Sequence, residues 1–167
     1  MVLSLFKRLT GFVLCCFLLA ACQTTPVKHG LTPEQIATLK AEGFVETDDG
    51  WMFSINDKLL FDLNDSRLKE DQREAIRRLT RVLLGVHTNA ARVEGHTDDT
   101  GRAAFNDKLS RERAESVAGA MAEAGMPRQN LRVEGLGSRY PIVPNTTEEN
   151  RRENRRVTII VGGTIGH

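Results

Sequence analysis

The sequence VEGHTDDTGRAAFNDKLSRER, residues 93–113, decides the fold because it joins a strand, a polar turn and the start of a long helix. Its first residues alternate apolar and polar, as in a strand, until Gly95 ends the run. A turn rich in Asp and Thr follows. Asn106 or Asp107 then supplies an N-cap, which predicts a helix over 106–124.

Two side chains of opposite charge in this stretch are predicted to face each other across the turn. Helical side chains lean toward the helix N-terminus, so Arg113 can reach over the turn that carries Asp98. An anionic and a cationic group across a polar cleft suit a zwitterionic ligand, such as an amino acid. An internal Asp98–Arg113 salt bridge without any ligand is the alternative.

The pattern TD-x-x-G followed by N-x-x-L-S-x-x-R-A resembles the OmpA-like peptidoglycan-binding domain. The residues that fill it here are Thr97, Asp98, Gly101, Asn106, Leu109, Ser110, Arg113 and Ala114. The resemblance spans about residues 59–161 and includes Asn154-Arg155-Arg156-Val157 before the last strand. In that family the Asp and the Arg hold the free zwitterionic end of diaminopimelate in the peptidoglycan stem peptide.

By this resemblance, Asp98 accepts hydrogen bonds from the ligand ammonium and Arg113 binds its carboxylate through two parallel hydrogen bonds. Backbone N–H groups near Thr100 and Gly101 add donors to that carboxylate, and Asn106 locks the turn. Leu109 is expected to pack on the aliphatic stem of the ligand. The candidate ligand-binding residues are Asp98, Arg113, Thr97, Thr100, Gly101, Asn106, Leu109, Phe61 and Asp62.

Phe61 and Asp62 belong to a second match, because Phe61-Asp62-Leu63-Asn64 followed by Leu68 resembles the F-D-x-N-x-x-x-L entry to the first helix of the family. The resemblance implies that Phe61 and Asp62 border the cleft. Core packing and helix capping are the alternative roles for these two side chains.

Residues 1–21 are predicted to be a lipoprotein signal peptide. Lys7 and Arg8 precede an apolar run over residues 9–22, which is shorter than the ~20 residues that span a bilayer comfortably. The run ends in Leu-Ala-Ala-Cys, which resembles a bacterial lipobox and makes Cys22 the lipidated first residue, a palmitate carrier. An uncleaved signal anchor is the alternative.

The residue after that cysteine predicts the destination of the protein. In lipoproteins of this kind an Asp there retains the protein in the inner membrane, and Gln23 stands there instead. We therefore expect an outer-membrane protein that is lipid-anchored and faces the periplasm. Several acyl chains, unlike one, anchor stably.

The segment 22–49 is predicted to be a lipidated tether with a short regulatory helix, ahead of an OmpA-like domain over 50–167. Thr32 as N-cap and Gln35 three residues later form a capping box around Pro33. A helix this short is marginal alone, so it docks either on its own domain or on a partner.

This segment also resembles that of lipoproteins of the YfiB type. The matching residues are Cys22-Gln23-Thr24, Gly30-Leu31, Glu34-Gln35-Ile36-Ala37, Gly43-Phe44 and Gly50-Trp51. Such proteins combine peptidoglycan binding with sequestration of a small periplasmic repressor of a diguanylate cyclase, which implies cyclic di-GMP signalling. Leu39, Trp51 and Phe53 are then candidate partner-binding residues. A purely structural tether of the Pal type is the alternative, and a homodimer is left open.

The order of the predicted elements is β-α-β-α-β-β. Strands are expected at 50–53 with a continuation at 59–61, at 92–95, at 131–134 and at 156–161; helices are expected at 69–84, at 106–124 and at 148–153. The fold class is α+β, an OmpA-C-like two-layer sandwich with a short N-terminal helix before the domain and both main helices on one face of the sheet.

Composition and motifs disfavour other functions. The chain is 40% hydrophobic with a net charge of +1, and its basic run at 151–156 lacks interleaved aromatics, so nucleic-acid binding is not expected. His96, Asp98 and Asp99 suggest a metal, but no further histidine stands at ligand spacing. The sequence has no nucleophile elbow, HExxH or phosphate loop. We expect no enzyme activity, no metal and no cofactor.

Overall fold

The computed structural model describes residues 30–62 and 65–163, so the signal peptide, Cys22 and Gln23 lie outside the described residues. The elements are α1 (Pro33–Ala41), β1 (Val45–Thr47), β2 (Gly50–Asn56), α2 (Asp57–Leu60), α3 (Glu70–Gly85), β3 (Ala91–His96), α4 (Ala103–Glu123), a 3-10 turn (Arg128–Asn130), β4 (Leu131–Gly135), α5 (Glu148–Asn154) and β5 (Arg156–Val161).

In the part of the chain that the structure describes, five strands form one sheet in the order β1-β2-β5-β3-β4. The β3–β4 pair is parallel and the other pairs are antiparallel. Strand β5 is central and every one of its residues is buried. Ile159 pairs with Phe53 on one side and with Val93 on the other, so the C-terminal strand joins the N-terminal hairpin to the rest of the sheet.

The two long helices pack together, and α4 lies along β3 and β4. Gly95 lets α4 approach the sheet closely, because a Cβ atom there would lie 1.9 Å from the Ser110 carbonyl oxygen. Ser110, Ala114 and Ala118 are fully buried on the facing side of α4. The small side chains of α4 therefore fix the distance between helix and sheet, and the predicted α+β sandwich is confirmed.

Two local predictions were wrong, and one strand was missed. Residues 59–61 do not continue a strand, because the Asn56 side chain accepts a hydrogen bond from the Lys58 N–H (3.0 Å) and starts the one-turn helix α2. Strand β1 was not predicted, and its pairing with β2 extends the sheet before residue 50. Helix α4 starts at Ala103, so Asn106 lies inside the helix and does not cap it.

The N-terminal segment packs on its own domain. Its capping box is present, with Thr32 and Gln35 bonded to each other's backbone N–H groups, and the Gln35 amide also donates to Thr88 Oγ1 at 3.3 Å. Leu39 is fully buried and Trp51 is 2% exposed. These two candidate partner-binding residues lie in the core in this conformation, and Phe53 packs against it.

Candidate ligand-binding cleft

A cleft of about 680 Å³ lies at one end of the sheet. Its lining includes every predicted ligand-binding residue except Gly101. The lining residues are Asp57, Lys58, Phe61, Asp62, Lys69, Thr97, Asp98, Thr100, Phe105, Asn106, Leu109, Arg113, Glu148 and Arg155. Gly101 lies in the adjoining turn with φ +88, a backbone conformation that favours glycine. The sequence therefore predicted most of the lining.

Strand register explains why distant segments meet here. Asn56 and His96 flank Arg156 as its Cα partners on β2 and β3. Asp57 directly follows Asn56, the last residue of β2, and Asp98 comes two residues after His96, the last residue of β3. Arg155 directly precedes Arg156, the first residue of β5. The polar residues just outside three neighbouring strands thus gather at one edge of the sheet.

Asp98 is held in place by its own turn. Its Oδ1 atom accepts a hydrogen bond from the Thr100 N–H at 2.9 Å, which closes an Asx turn. The Asn106 side-chain amide donates to the Asp98 carbonyl at 3.2 Å and to the Thr100 carbonyl at 3.1 Å. Asn106 thus ties the turn to the first turns of α4.

Arg113 lies on α4, with its side chain 5% exposed. Its Nη1 donates to Asp57 Oδ2 at 2.9 Å and its Nε donates to the Asp65 carbonyl at 3.1 Å. The Phe61 ring lies under the guanidinium, with 5.1 Å between Cζ and the ring centroid. These contacts fix the plane of the guanidinium, as two-point recognition of a carboxylate requires.

Asp98 and Arg113 do not form an ion pair with each other. Arg113 is paired with Asp57, and Asp98 Oδ2 accepts a hydrogen bond from Arg155 Nη1 at 2.5 Å. Arg155 also reaches Glu148 (2.7 Å) and lies 3.7 Å from Asp57 Oδ2 through Nε. The alternative of an internal Asp98–Arg113 bridge is therefore wrong.

Sequence reasoning missed Asp57 and Arg155 as cleft residues. Asp57 stands in a segment that was predicted to link two strand pieces, and nothing in its local pattern distinguishes it from a surface acid. Arg155 was noted only as part of Asn154-Arg155-Arg156-Val157, the family match before the last strand. Both residues flank strands that end at the cleft. They can be recognised as cleft residues only when the order of the strands in the sheet is known.

The pKa of the Arg155 guanidinium reflects two opposing effects. Burial alone would lower it, but hydrogen bonds to Glu148 and Asp98 raise it above its usual value. Hydrogen bonds from Arg155 and Arg151 lower the pKa of Glu148. Both groups are therefore ionised at neutral pH, and Arg155 carries a permanent positive charge beside Asp98.

Two buried oxygen atoms of the lining have no hydrogen-bond partner among the residues that the structure describes. They are Asp57 Oδ1 and Thr97 Oγ1. Buried polar atoms are normally paired, since desolvation without a partner costs about 1–3 kcal/mol. Such unsatisfied atoms in a cleft favour a polar ligand there.

Within residues 30–62 and 65–163, no group of three His, Cys, Asp or Glu side chains comes together in a way that would hold a metal ion. No helix in the same ranges is long and apolar enough to cross a membrane.

Known proteins share this architecture and much of this sequence. The OmpA family matches residues 60–155. Outer-membrane lipoprotein YfiB of Pseudomonas aeruginosa is 46% identical over 159 residues, which cover 95% of this chain and 90% of that protein. Putative lipoprotein YfiB of Escherichia coli is 39% identical over 145 residues, 86% of this chain and 89% of that protein.

A solved structure, the cell wall anchor of the T6SS from Pseudomonas aeruginosa, is also similar. It aligns with a TM-score of 0.65 at 25% identity, over 81% of this chain and 99% of that chain. The OmpA match contains both long helices and the whole cleft lining except Asp57 and Lys58. The chain belongs to the OmpA family.

Proposed function

We propose that the cleft binds peptidoglycan non-covalently, through the free zwitterionic end of diaminopimelate in the stem peptide. The observation that carries the proposal is the presence of Asp98 and Arg113 in one cleft, both buried and both held rigidly by neighbours. The similar solved structure is named a cell wall anchor, which agrees with this ligand.

The proposed pose follows from the chemistry of the lining. The ligand ammonium donates to Asp98, whose carboxylate keeps acceptor sites beyond its contacts with Thr100 and Arg155. Arg113 already donates from Nε to the Asp65 carbonyl and from Nη1 to Asp57. The ligand carboxylate therefore binds the remaining N–H groups of the guanidinium, on Nη1 and Nη2. The aliphatic stem lies along Leu109 and Phe61. No bond is made or broken.

We further propose that Cys22 carries lipid and holds the protein on the periplasmic side of the outer membrane. Support comes from the lipobox pattern around Cys22 and from the relative named an outer-membrane lipoprotein. Lipid at one end and a peptidoglycan-binding cleft at the other would connect the outer membrane to the cell wall.

Retention on purified peptidoglycan sacculi tests the binding proposal. The full-length protein in detergent should co-sediment with sacculi, whereas Asp98→Ala and Arg113→Ala should each lose ~2–5 kcal/mol of binding and stay in the supernatant. Arg81→Ala is the matched control, since this half-exposed arginine pairs with Glu74 away from the cleft. Circular dichroism checks that each variant is folded. No retention of the wild type would contradict the proposal.

A signalling role is the third part of the proposal. We infer that the protein sequesters a small periplasmic repressor of a diguanylate cyclase and so raises cyclic di-GMP. The support is the similarity to YfiB across the segment 31–53 as well as the domain, since 95% of the chain is covered. The alternative is a purely structural Pal-like tether between outer membrane and cell wall.

Cells that lack the protein distinguish these two roles. Signalling predicts a lower cyclic di-GMP level that recovers when the gene is restored, together with a small periplasmic protein cross-linked to the restored chain. A pure tether predicts an unchanged cyclic di-GMP level and a leaky envelope. An unchanged level with no cross-linked partner would contradict the signalling role and leave the tether.

A further inference from the structure

Four charged side chains of the cleft lining are mostly buried, are linked by ion pairs and together carry no net charge. The side chains of Asp57, Asp98, Arg113 and Arg155 are 8%, 10%, 5% and 18% exposed. Arg113 pairs with Asp57 at 2.9 Å and Arg155 pairs with Asp98 at 2.5 Å. Arg155 Nε lies 3.7 Å from Asp57 Oδ2 and connects the two pairs. Two carboxylates thus balance two guanidinium groups, and we name these four residues the charge quartet.

The other charged residues of the lining are more exposed: the side chains of Glu148, Asp62 and Lys69 are 50%, 80% and 37% exposed, and Lys58 is exposed as well. Glu148 also bonds Arg155 at 2.7 Å, but Arg151, 3.1 Å away, balances its charge. Solvent and salt screen such charges, and their effect on a buried ligand is correspondingly small. The charge quartet therefore sets the electrostatic environment at the floor of the cleft.

The charge of the quartet decides which ligands can be buried on it at low cost. Burying a net charge without a partner is expensive, whereas a ligand end with one ammonium and one carboxylate adds no net charge. Asp98 and Arg113 provide the contacts to such a ligand. Asp57 pairs with Arg113 and Arg155 pairs with Asp98, so each contact residue already has a neighbour of opposite charge. The quartet is therefore neutral without the ligand.

We propose that Asp57 and Arg155 set the charge selectivity of the cleft: they make it select ligand ends whose net charge is zero. This inference rests on the proposed function and adds the ligand class that the site accepts. An α-amino acid end with both groups free fits. Amidation of its carboxylate leaves a net positive end, and acylation of its amine leaves a net negative end, and both should be rejected.

Three synthetic probes test the inference by calorimetric titration of the full-length protein in detergent. All carry meso-diaminopimelate with one centre blocked as acetamide and methylamide. In the first probe the other centre is free and zwitterionic. In the second its carboxylate is amidated, and in the third its amine is acetylated. Binding of the first probe to the wild type tests the proposed function by itself.

The variants should shift preference in opposite directions. Asp57→Asn leaves the quartet with a net positive charge, so the ratio of affinities for the acetylated over the amidated probe should rise by about tenfold. Arg155→Gln leaves a net negative charge, so the same ratio should fall by about tenfold. Asp57→Glu and Arg155→Lys keep the charge and should keep the wild-type ratio even where overall affinity drops.

A purely structural role for these residues predicts a different result. If Asp57→Asn and Arg155→Gln weaken all three probes by the same factor, the inference is wrong while the proposed function stands. The two variants are expected to change the ratio of affinities in opposite directions. If one variant does not fold, the direction of change in the other therefore still tests the inference.

The wild type gives an independent measurement. Its affinity for the zwitterionic probe should change less than about twofold between ~0.05 and ~0.5 M salt, because two neutral partners are little affected by screening. A steep salt dependence would mean that the cleft floor carries net charge, and it would overturn the inference.

Discussion

The cleft and the N-terminal segment 31–53 bury side chains of opposite kinds. The segment buries Leu39 and Trp51, two large apolar side chains, in the same core as the sheet and the helices. The cleft buries the charge quartet and leaves Asp57 Oδ1 without a hydrogen bond among the described residues. Apolar burial favours folding by about 25 cal/mol per Å². Burial of ion pairs contributes little or nothing net.

This difference indicates what each region is for. The N-terminal segment adds to the core and stabilises the folded chain, and its one buried side-chain polar atom without a hydrogen-bond partner among the described residues is Trp51 Nε1. The cleft keeps four charges in a place where apolar residues would be at least as stable. Buried charges in such a place support the proposed ligand-binding role of the cleft. Three measurements test this contrast.

The largest effect is expected at Trp51. Replacing it by alanine should lower the free energy of unfolding by ~3–5 kcal/mol, because a fully packed indole is removed and a cavity remains. Urea unfolding followed by circular dichroism measures this loss, and folded protein should still bind sacculi. Val45→Ala is the control, since Val45 is 65% exposed and should change stability by less than ~0.5 kcal/mol. A loss below ~1 kcal/mol for Trp51→Ala would mean that the segment separates easily from the domain.

An intermediate effect is expected in the cleft. Asp57→Ala should cost about 3 kcal/mol of stability, because it leaves Arg113 buried without its carboxylate partner. The double variant Asp57→Ala with Arg113→Met should be more stable than the single one, since no unpaired charge remains at that position. Urea titrations of the four corners of this double-mutant cycle measure both values. A double variant that is less stable than the single one would show that the ion pair itself stabilises the fold.

The smallest effect is expected from His96, which lies at the end of β3 and is 3% exposed. Burial lowers its pKa below the usual 6.5, although Glu94, 3.5 Å away, acts in the opposite direction; Arg156 adds to the lowering. Below pH 6.5 the unfolded chain therefore binds a proton at this histidine more readily than the folded chain does. The free energy of unfolding consequently falls as the pH decreases from that value, by at most about 1.4 kcal/mol per pH unit.

Urea midpoints at pH 7.5 and pH 5.5 test this dependence. The pKa of Glu94 is lowered as well, despite burial, and its contribution to stability is lost only below its usual value of 4.5. His96→Gln should therefore flatten the difference between the two pH values. The same slope in His96→Gln and in the wild type would assign the effect to other groups.

The amino-acid sequence predicted the main elements, although not β1 or α2, and most of the lining of the cleft. Helix α1 was predicted from its capping box, β5 from its alternation, and the turn at Asp98 from the motif that also places Arg113 on α4. These features depend on contacts within a few residues or on spacing along one helix. Both are readable in a linear sequence.

Tertiary structure alone decided how the charges are paired and where the N-terminal segment lies. Asp57 and Arg113 are 56 residues apart in sequence, and Asp98 and Arg155 are 57 apart. They meet because β2, β5 and β3 are neighbours in a fixed register, which places the flanking residues at one edge of the sheet. Such pairings depend on strand order, which no local pattern encodes. The sequence therefore named the two residues proposed to hold the ligand, and the fold supplied the opposite charges that pair with them.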